Sequence, residues 1–486
     1  MTNPVVWTIA GSDSSSCAGI QADMRTFHAL GVYACSIITA LTAQSMQAVE
    51  QVYYVPADAV LAQMTALQLS SIPRVIKIGM LGNKEIIDTV RTFLSQSNYL
   101  TVLDPVLLST SGQALCSGEV NTYIHDLKTM FPFVSVLTPN LPEAEKILGR
   151  KLGSYNEIPR AAEDILSFGV KSVFIKGGHF HQDGFSQDYW TDGSQSFWIS
   201  SPRNRSIHMR GTGCTLSSAL AACLALGYDV PNALVIAKMY LNQVIRLSET
   251  FISPHVVIQP SWPETSVDLP RITRCPINKT PESFPDCGKN SLGLYPIVDS
   301  AKWVKKLLPL GISTIQLRIK NLNGLDLKKE IQQAIHIAVT YQARLFINDY
   351  WELAIQYGAY GVHLGQEDLE HADCIAIRNA GLRLGISTHN YYEVACAHAL
   401  CPSYIACGPI FPTTSKLMSH PPQGLEQLKR WRRTLHYPLV AIGGIGAVQL
   451  SSIFATGVNG VAMISAIIQA KDVENSVRKM HMHCLT

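Results

Sequence analysis

Seven of the chain's 25 prolines fall between Pro254 and Pro285, in "PHVVIQPSWPETSVDLPRITRCPINKTPESFP". Proline fixes φ and lacks an N–H, so this density forbids a long helix or a central strand. The segment reads as a linker over residues 256–289, between one domain at 1–255 and another at 290–486. A chain of 486 residues is too long for one ordinary core. With 47% apolar and 15% charged residues, each half can bury a core of its own.

Before the linker, short buried-strand runs ("VVWTIAG", "RVIKIGM", "LTVLDPV", "VSVLTPN", "SVFIKGG") alternate with helical stretches. Helices are expected over Gln21–Leu30 and Cys214–Leu226, each stopped by a glycine. Such alternation implies an α/β domain with a mostly parallel sheet. Asp13, Asp104, Asn140 and Lys176 stand at strand C-terminal ends, where open α/β sheets bind ligands. After the linker come eight strand candidates: "LGLYPIVD", "TIQLRIK", "RLFIND", "GVHLGQ", "LRLGIST", "YIACGPI", "PLVAIGGI" and "GVAMISA". Eight parallel strands in about 200 residues match a small (β/α)₈ barrel.

A formal charge of +3 is nearly balanced, which argues against a dedicated nucleic-acid or membrane-surface protein. No apolar run reaches the roughly 18 residues of a membrane span. The opening "MTNPVVWTIAG" lacks a basic n-region and reads as a first strand. Twelve cysteines without a CxxC pair, many in apolar runs, suit free thiols in a reducing cytoplasm.

Chemistry concentrates first in "RGTGCT". Gly211 and Gly213 let the backbone approach a ligand, and N–H groups at a helix start make an anion site. The same field favours a thiolate at Cys214, which could take a proton from a hydroxyl attacking the γ-phosphate of ATP. Lys176 in "IKGGH" could steady phosphate oxygens. Asn140 and Glu143 in "TPNLPEAE" suit a hydrated Mg²⁺, which needs only one or two protein oxygens. Each residue alone reads as well as a solvated loop position; at one sheet edge they favour phosphoryl transfer.

The blocks "TIAGSDSSSCAGIQAD", "ITALTAQ", "KIGML", "LDPV", "TPNLPEAE", "KGGH" and "GTGCT" resemble, in order, hydroxymethylpyrimidine/phosphomethylpyrimidine kinases of the ribokinase-like superfamily. The resemblance implies a three-layer α/β domain. It places the pyrimidine near Gly11, Asp23, Gln44 and Met80, makes Cys214 the base, and assigns ATP and Mg²⁺ to Asp104, Asn140, Glu143, Lys176, Gly211 and Gly213. Two departures stand out. The family's "DPSGGAG" is "DSSSCAG" here, so Ser14, Ser16 and Cys17 replace a proline and two glycines. Arg210 stands where histidine is common.

In the second half, alternation puts Gln316, Arg318 and Lys320 of "QLRIK" on one side of a strand, an odd filling for a core and a good one for an anion site. Asp349 in "INDY" and Asp368 in "GVHLGQED" could meet at one Mg²⁺, although either alone reads as a helix cap. "GPIFPTTSK", "IGGI" and "MISA" add a rigid loop and a candidate phosphate site on the last strands. The set resembles thiamine phosphate synthase. That resemblance implies pyrimidine diphosphate at Gln316, Arg318, Lys320, Asn348, Ser387 and Lys416, Mg²⁺ at Asp349 and Asp368, and thiazole phosphate at Thr413, Ser415, Gly444, Ile464 and Ser465. Ile319 and Tyr350 replace the family's glutamate and arginine, and Ser415 its threonine.

Together these readings imply a bifunctional cytoplasmic transferase of thiamine biosynthesis. Its partners would be small molecules, with neither nucleic acid nor membrane, and homo-oligomers stay open. Two rival readings of the first domain remain at this stage: a kinase for a pyridoxal-type alcohol, and a pyrimidine-binding sensor without turnover.

Overall fold

The computed structural model describes residues 3–45, 48–108, 115–178, 180, 184–203, 210–248, 260–288, 291–413 and 421–482. The chain forms two compact units: Met1–Pro263 with Asp268–Lys279, and Glu264–Val267 with Thr280–Thr486.

The first unit is built on β1 (Val5–Asp13), β2 (Tyr33–Gln44), β3 (Val49–Tyr54), β4 (Val75–Ile78), β5 (Leu100–Leu103), β6 (Val136–Leu137), β7 (Val173–Ile175), β8 (Phe185–Thr191), β9 (Ser196–Pro202) and β10 (Arg271–Thr273). They make one sheet in the order β10-β9-β8-β7-β6-β5-β4-β1-β2-β3. The strands from β7 through β2 run parallel, whereas β3, β8, β9 and β10 add antiparallel edges. All four residues of β4 are buried, as expected where helices cover both faces. Ile76 and Ile78 face one helical layer, packing with Val60, Ile86, Val90 and Ala144. Lys77, between them, points to the other face and bonds Asp23 of the Gly19–Ala29 helix. On that side lies the Thr212–Ala225 helix, buried along most of its length, which explains why its sequence is apolar all round. Both expected helices exist, starting two residues earlier than read.

Within the proline-rich segment, Arg271–Thr273 pairs with β9 as an edge strand, the place in a sheet where flanking prolines are tolerated. Asp268 accepts from Arg246 at 2.7 Å, and Ile277 exchanges two bonds with the side chain of Gln187. Phe284–Gly288 belongs to the second unit: Phe284 N–H donates to the Cys401 carbonyl and Ser403 Oγ to that of Pro285.

In the second unit, β11 (Gly293–Val298), β12 (Thr314–Leu317), β13 (Arg344–Asn348), β14 (Gly361–Leu364), β15 (Arg383–Thr388), β16 (Tyr404–Cys407), β17 (Leu439–Ile442) and β18 (Gly460–Met463) close a parallel barrel. All eight expected strands are present. The rings of Tyr295, Phe346 and Tyr404 fill its interior. Room for them comes from cross-strand glycines: a β-carbon on Gly385 would lie 2.1 Å from the Tyr404 ring, and one on Gly361 2.7 Å from Phe346. At the strands' N-terminal ends, Arg344 donates to the carbonyls of Cys287 and Ser291, and Arg383 to that of Asp286, so Phe284–Gly288 closes the barrel there.

Candidate active sites

In the first unit, the ends of β2, β5, β6 and β7 and the start of the Thr212–Ala225 helix surround a cavity of 620 Å³. Of the expected residues, Gln44, Asp104, Asn140, Glu143, Lys176, Gly211, Gly213 and Cys214 line it together. Lys176 Nζ bonds Asp104 Oδ1 at 2.7 Å, and a β-carbon on Gly213 would stand 3.5 Å from that ammonium. The glycine-rich turn therefore lies directly against the ion pair. Gly211 has φ +79°, and a β-carbon there would meet the Cys17 carbonyl at 1.9 Å, so only glycine fits.

Three expected pyrimidine neighbours stand elsewhere. Asp23 is fully buried, its carboxylate taken by Lys77 (2.8 Å), Thr8 (2.6 Å) and Ser218 (2.6 Å). It organises the packing of the helices and presents nothing to the cavity, because a buried carboxylate needs a full set of partners. Met80 is buried in an apolar cluster with Leu115 and Val106, which themselves line the cavity. Gly11 lies beneath it, with the Met80 sulfur 3.1 Å from where its β-carbon would be. Lys77, unremarked in the sequence, completes this layer; a lysine inside an otherwise apolar strand was the available signal.

Asn140 and Glu143 form a capping box: Glu143 N–H donates to Asn140 Oδ1 at 2.9 Å, and Asn140 N–H to Glu143 Oε2 at 2.7 Å. Burial lifts the Glu143 carboxyl to about 7, Lys176 opposing and Asp104 reinforcing. Burial also works against charge on Asp104, but Lys176 and Lys77 hold its carboxyl below the ordinary range. At Cys214 the outcome differs from the thiolate expected at a helix start. Burial pushes the thiol up to about 11; Lys77 pulls it down, while Asp23 and Asp104 push it further up. Desolvation and two nearby carboxylates outweigh the helix field.

The loop that departs from the family pattern is tightly held. The Asp13 carboxylate accepts from the N–H groups of Ser15, Cys17 and Ala18. Ser16, in place of a glycine, has φ +61°. Ser14 Oγ donates to the Gln44 carbonyl at 2.8 Å and accepts from its N–H at 2.9 Å, a pairing that proline could not make.

In the barrel, β12 ends at Leu317, so Gln316 sits on the strand while Arg318 and Lys320 follow it; alternation does not extend that far. Lys320 Nζ bonds Asp349 Oδ2 at 2.6 Å. Asp368 lies within hydrogen-bonding reach of Asp349, and burial together with that neighbour raises its carboxyl. Two carboxylates so close share a proton or hold a cation. Asp349 has φ +66°, backbone strain of the kind that collects at functional sites. Asn348 is buried at the end of β13. Tyr350 donates from its hydroxyl to the Ile319 carbonyl at 3.3 Å, so the two positions that depart from the family pattern touch each other.

Ser387 Oγ is 2.8 Å from His363 Nε2, and His363 Nδ1 is 2.6 Å from the Tyr404 hydroxyl, which meets that of Tyr295 at 2.8 Å. Burial lowers His363 to about 4, so it is neutral near pH 7. Sequence reasoning passed over this histidine, although a polar ring in the apolar run "GVHL" marks it. Gly444 sits in the turn after β17, where a β-carbon would meet the Pro412 carbonyl at 2.4 Å. Ile464 and Ser465 follow the adjacent β18, and Thr413 ends the described part of its loop. Ser415 and Lys416 lie outside the described residues. Among the described residues no group of three or more His, Cys, Asp or Glu side chains forms a metal cage. Mg²⁺, which keeps waters and takes substrate phosphates, needs only pairs such as Asp104 with Glu143 or Asp349 with Asp368.

Two family models match: phosphomethylpyrimidine kinase over residues 13–258, and thiamine monophosphate synthase over residues 294–467. The chain belongs to both families. The thiamine-phosphate synthase of Yersinia pestis (strain Pestoides F) is 55% identical over 190 residues, covering 39% of this chain and 88% of that protein. A relative from Oryza sativa subsp. japonica, described as a probable thiamine biosynthetic bifunctional enzyme, chloroplastic, is 30% identical over 495 residues, covering 98% and 88%. A solved phosphomethylpyrimidine kinase from Clostridium difficile 630 is 37% identical, with a TM-score of 0.44, covering 50% of this chain and all of that one. The first unit is thus a phosphomethylpyrimidine kinase domain and the second a thiamine-phosphate synthase barrel, and the protein is a transferase. No helix among the described residues is long and apolar enough to cross a membrane.

Proposed function

We propose that the kinase domain uses ATP to phosphorylate hydroxymethylpyrimidine and then its monophosphate, and that the barrel joins the resulting diphosphate to thiazole phosphate. The observation that carries this reading is the presence of both families on one chain, with a relative of the same two-part description matching along its length. The product of the first half is then the substrate of the second.

In each kinase step an acceptor oxygen attacks the γ-phosphorus of ATP and the bond to ADP breaks; in the first step the alcohol also gives up its proton, whereas the phosphomonoester of the second attacks through an oxygen already largely deprotonated near pH 7. Cys214 is the assigned proton acceptor for the alcohol, and it must ionise first. Lys176 and the N–H groups of the Gly211–Cys214 turn would bind phosphate oxygens; Gln44 would read the pyrimidine edge through its amide. Asp104, Asn140 and Glu143 are assigned to ATP-bound Mg²⁺, and Asp349 and Asp368 to Mg²⁺ in the barrel. The ion supplies charge neutralisation on phosphate oxygens when bound.

In the barrel, the bond from the pyrimidine's methylene to the diphosphate breaks, pyrophosphate departs with the electron pair, and the thiazole nitrogen captures the cation. Arg318, Lys320 and Lys416 would stabilise the leaving group, with Gln316, Asn348 and Ser387 orienting the pyrimidine diphosphate. Thr413, Ser415, Gly444, Ile464 and Ser465 are assigned to thiazole phosphate. We assign the reaction to the cytoplasm, which suits the eleven described cysteines, all free thiols.

The test is one reaction: purified protein, hydroxymethylpyrimidine, thiazole phosphate, Mg²⁺ and ATP, followed for thiamine phosphate by chromatography. Product supports both sites. Product only when pyrimidine diphosphate is supplied would overturn the kinase half, and none in either case the synthase half.

A further inference from the structure

We propose that His363 is a positioning residue of the barrel: as the Nε2–H tautomer, it turns the hydrogen of the Ser387 hydroxyl toward the diphosphate of the pyrimidine substrate. This inference rests on the synthase reading above and deepens it. A diphosphate presents acceptor oxygens, so a hydroxyl that binds one must have its hydrogen free. Ser387 has one hydrogen and two takers for it, the ligand and the His363 ring.

The groups form a single chain. Ser387 Oγ lies 2.8 Å from His363 Nε2, His363 Nδ1 lies 2.6 Å from the Tyr404 hydroxyl, and that hydroxyl is 2.8 Å from the one on Tyr295. The Gln316 amide stands beside both tyrosine hydroxyls. Gln316, Tyr295, Tyr404 and His363 are buried, so their hydrogens are shared within the chain. Ser387, at the end of β15, is partly exposed and can face a ligand.

Each hydroxyl carries one hydrogen and a neutral ring one N–H, which leaves the chain two directions. In the first, Ser387 donates to Nε2, Nδ1–H to Tyr404, Tyr404 to Tyr295, and Tyr295 to the Gln316 carbonyl. In the second, the Gln316 amide donates to the tyrosines, Tyr295 to Tyr404, Tyr404 to Nδ1, and Nε2–H to Ser387. Only the second releases the Ser387 hydrogen to the diphosphate. At the far end it leaves the Gln316 carbonyl for a donor, which the amino group of an aminopyrimidine supplies. The two ends of the substrate thus ask for the same direction. A doubly protonated ring would donate to Ser387 as well, so the outcome there does not depend on the charge of His363. The frame around the pair is fixed: Gln366 donates to the Ser387 carbonyl at 2.6 Å, and Asp349 N–H to the His363 carbonyl at 3.1 Å.

The experiment measures the barrel reaction, with pyrimidine diphosphate and thiazole phosphate supplied, in wild type, H363L, H363Q, S387A and the H363L/S387A double variant. H363L should lower kcat/KM for pyrimidine diphosphate about tenfold or more, the scale of one lost hydrogen bond to a charged group. The KM for thiazole phosphate should stay nearly unchanged. H363Q, whose amide can place an N–H toward Ser387, should recover most of the loss. Made in S387A, the same H363L change should cost less than about twofold, because no hydroxyl remains to be aimed. A second readout needs no loss of activity. In ¹⁵N-histidine spectra of wild type with pyrimidine diphosphate alone, the His363 signals, identified by their absence in H363Q, should show hydrogen on Nε2. Hydrogen on Nδ1 alone, or an H363L loss as large in S387A as in wild type, would overturn the assignment. A wild-type protein that makes no thiamine phosphate from the supplied diphosphate overturns the synthase reading itself, and the assignment with it.

Discussion

Cys214 shows how local environment can reverse a sequence-level expectation. At a helix start in an anion-binding turn a lowered thiol is the natural reading, yet burial and the carboxylates of Asp23 and Asp104 raise it to about 11. Site-resolved alkylation of Cys214 in the free protein should therefore accelerate steadily from neutral pH toward about 11. A rate already level at neutral pH would show a thiolate and refute the raised value. Cys214→Ser should cut alcohol phosphorylation by about 10²–10⁴-fold, the range for a lost proton acceptor. Glu143 offers a second check. Its folded value of about 7 stands above the ordinary 4.5, so its contribution to stability is present below about 4.5 and is lost as pH rises through 7. Glu143→Gln, which keeps the capping box, should raise kinase-domain stability at about pH 8 by about 2 kcal/mol and change it little near pH 5, as read by urea unfolding.

Among elements, the decisive pairings are those that sequence patterns show least. The Lys77–Asp23 pair joins β4 to the Gly19–Ala29 helix with both side chains at 0% exposure. Asp23→Ala should destabilise the kinase domain by about 3–5 kcal/mol by leaving Lys77 unpaired, while Asp23→Leu with Lys77→Met should recover much of the loss. Equal losses in single and double variants would contradict this account. The buried run "RVIKIGM" put Lys77 on a strand, but it could not say which helix would answer it. In the barrel, Gly385→Ala would press on the Tyr404 ring and should cost about 1–3 kcal/mol in barrel stability. It should also lower synthase activity by displacing the hydroxyl that meets His363.

At the scale of the whole molecule, both architectures were legible because a parallel strand buried on two faces makes a continuous apolar run. Eight such runs at regular spacing leave few alternatives to a barrel. Strand ends located the edge where Asp104, Asn140 and Lys176 gather. What stayed hidden depends on contacts far apart in sequence: Asp23 turning inward to Lys77, Tyr350 reaching the Ile319 carbonyl, and His363 linking Ser387 to Tyr404. The packing of the proline-rich segment belongs here too, since nothing in its composition announces β10. A kinase fragment ending at Pro263 would lose β10 and the Arg246–Asp268 pair and leave buried Gln187 without Ile277. It should be about 2–4 kcal/mol less stable than one ending at Lys279, measured by denaturant unfolding. The barrel's interior carries one more consequence. Three rings fill the barrel and the Phe284–Gly288 main chain lies against the N-terminal ends of its strands. On the proposed reading, reactants then come and go at the other rim, where Asn348, Asp349 and Ser387 stand.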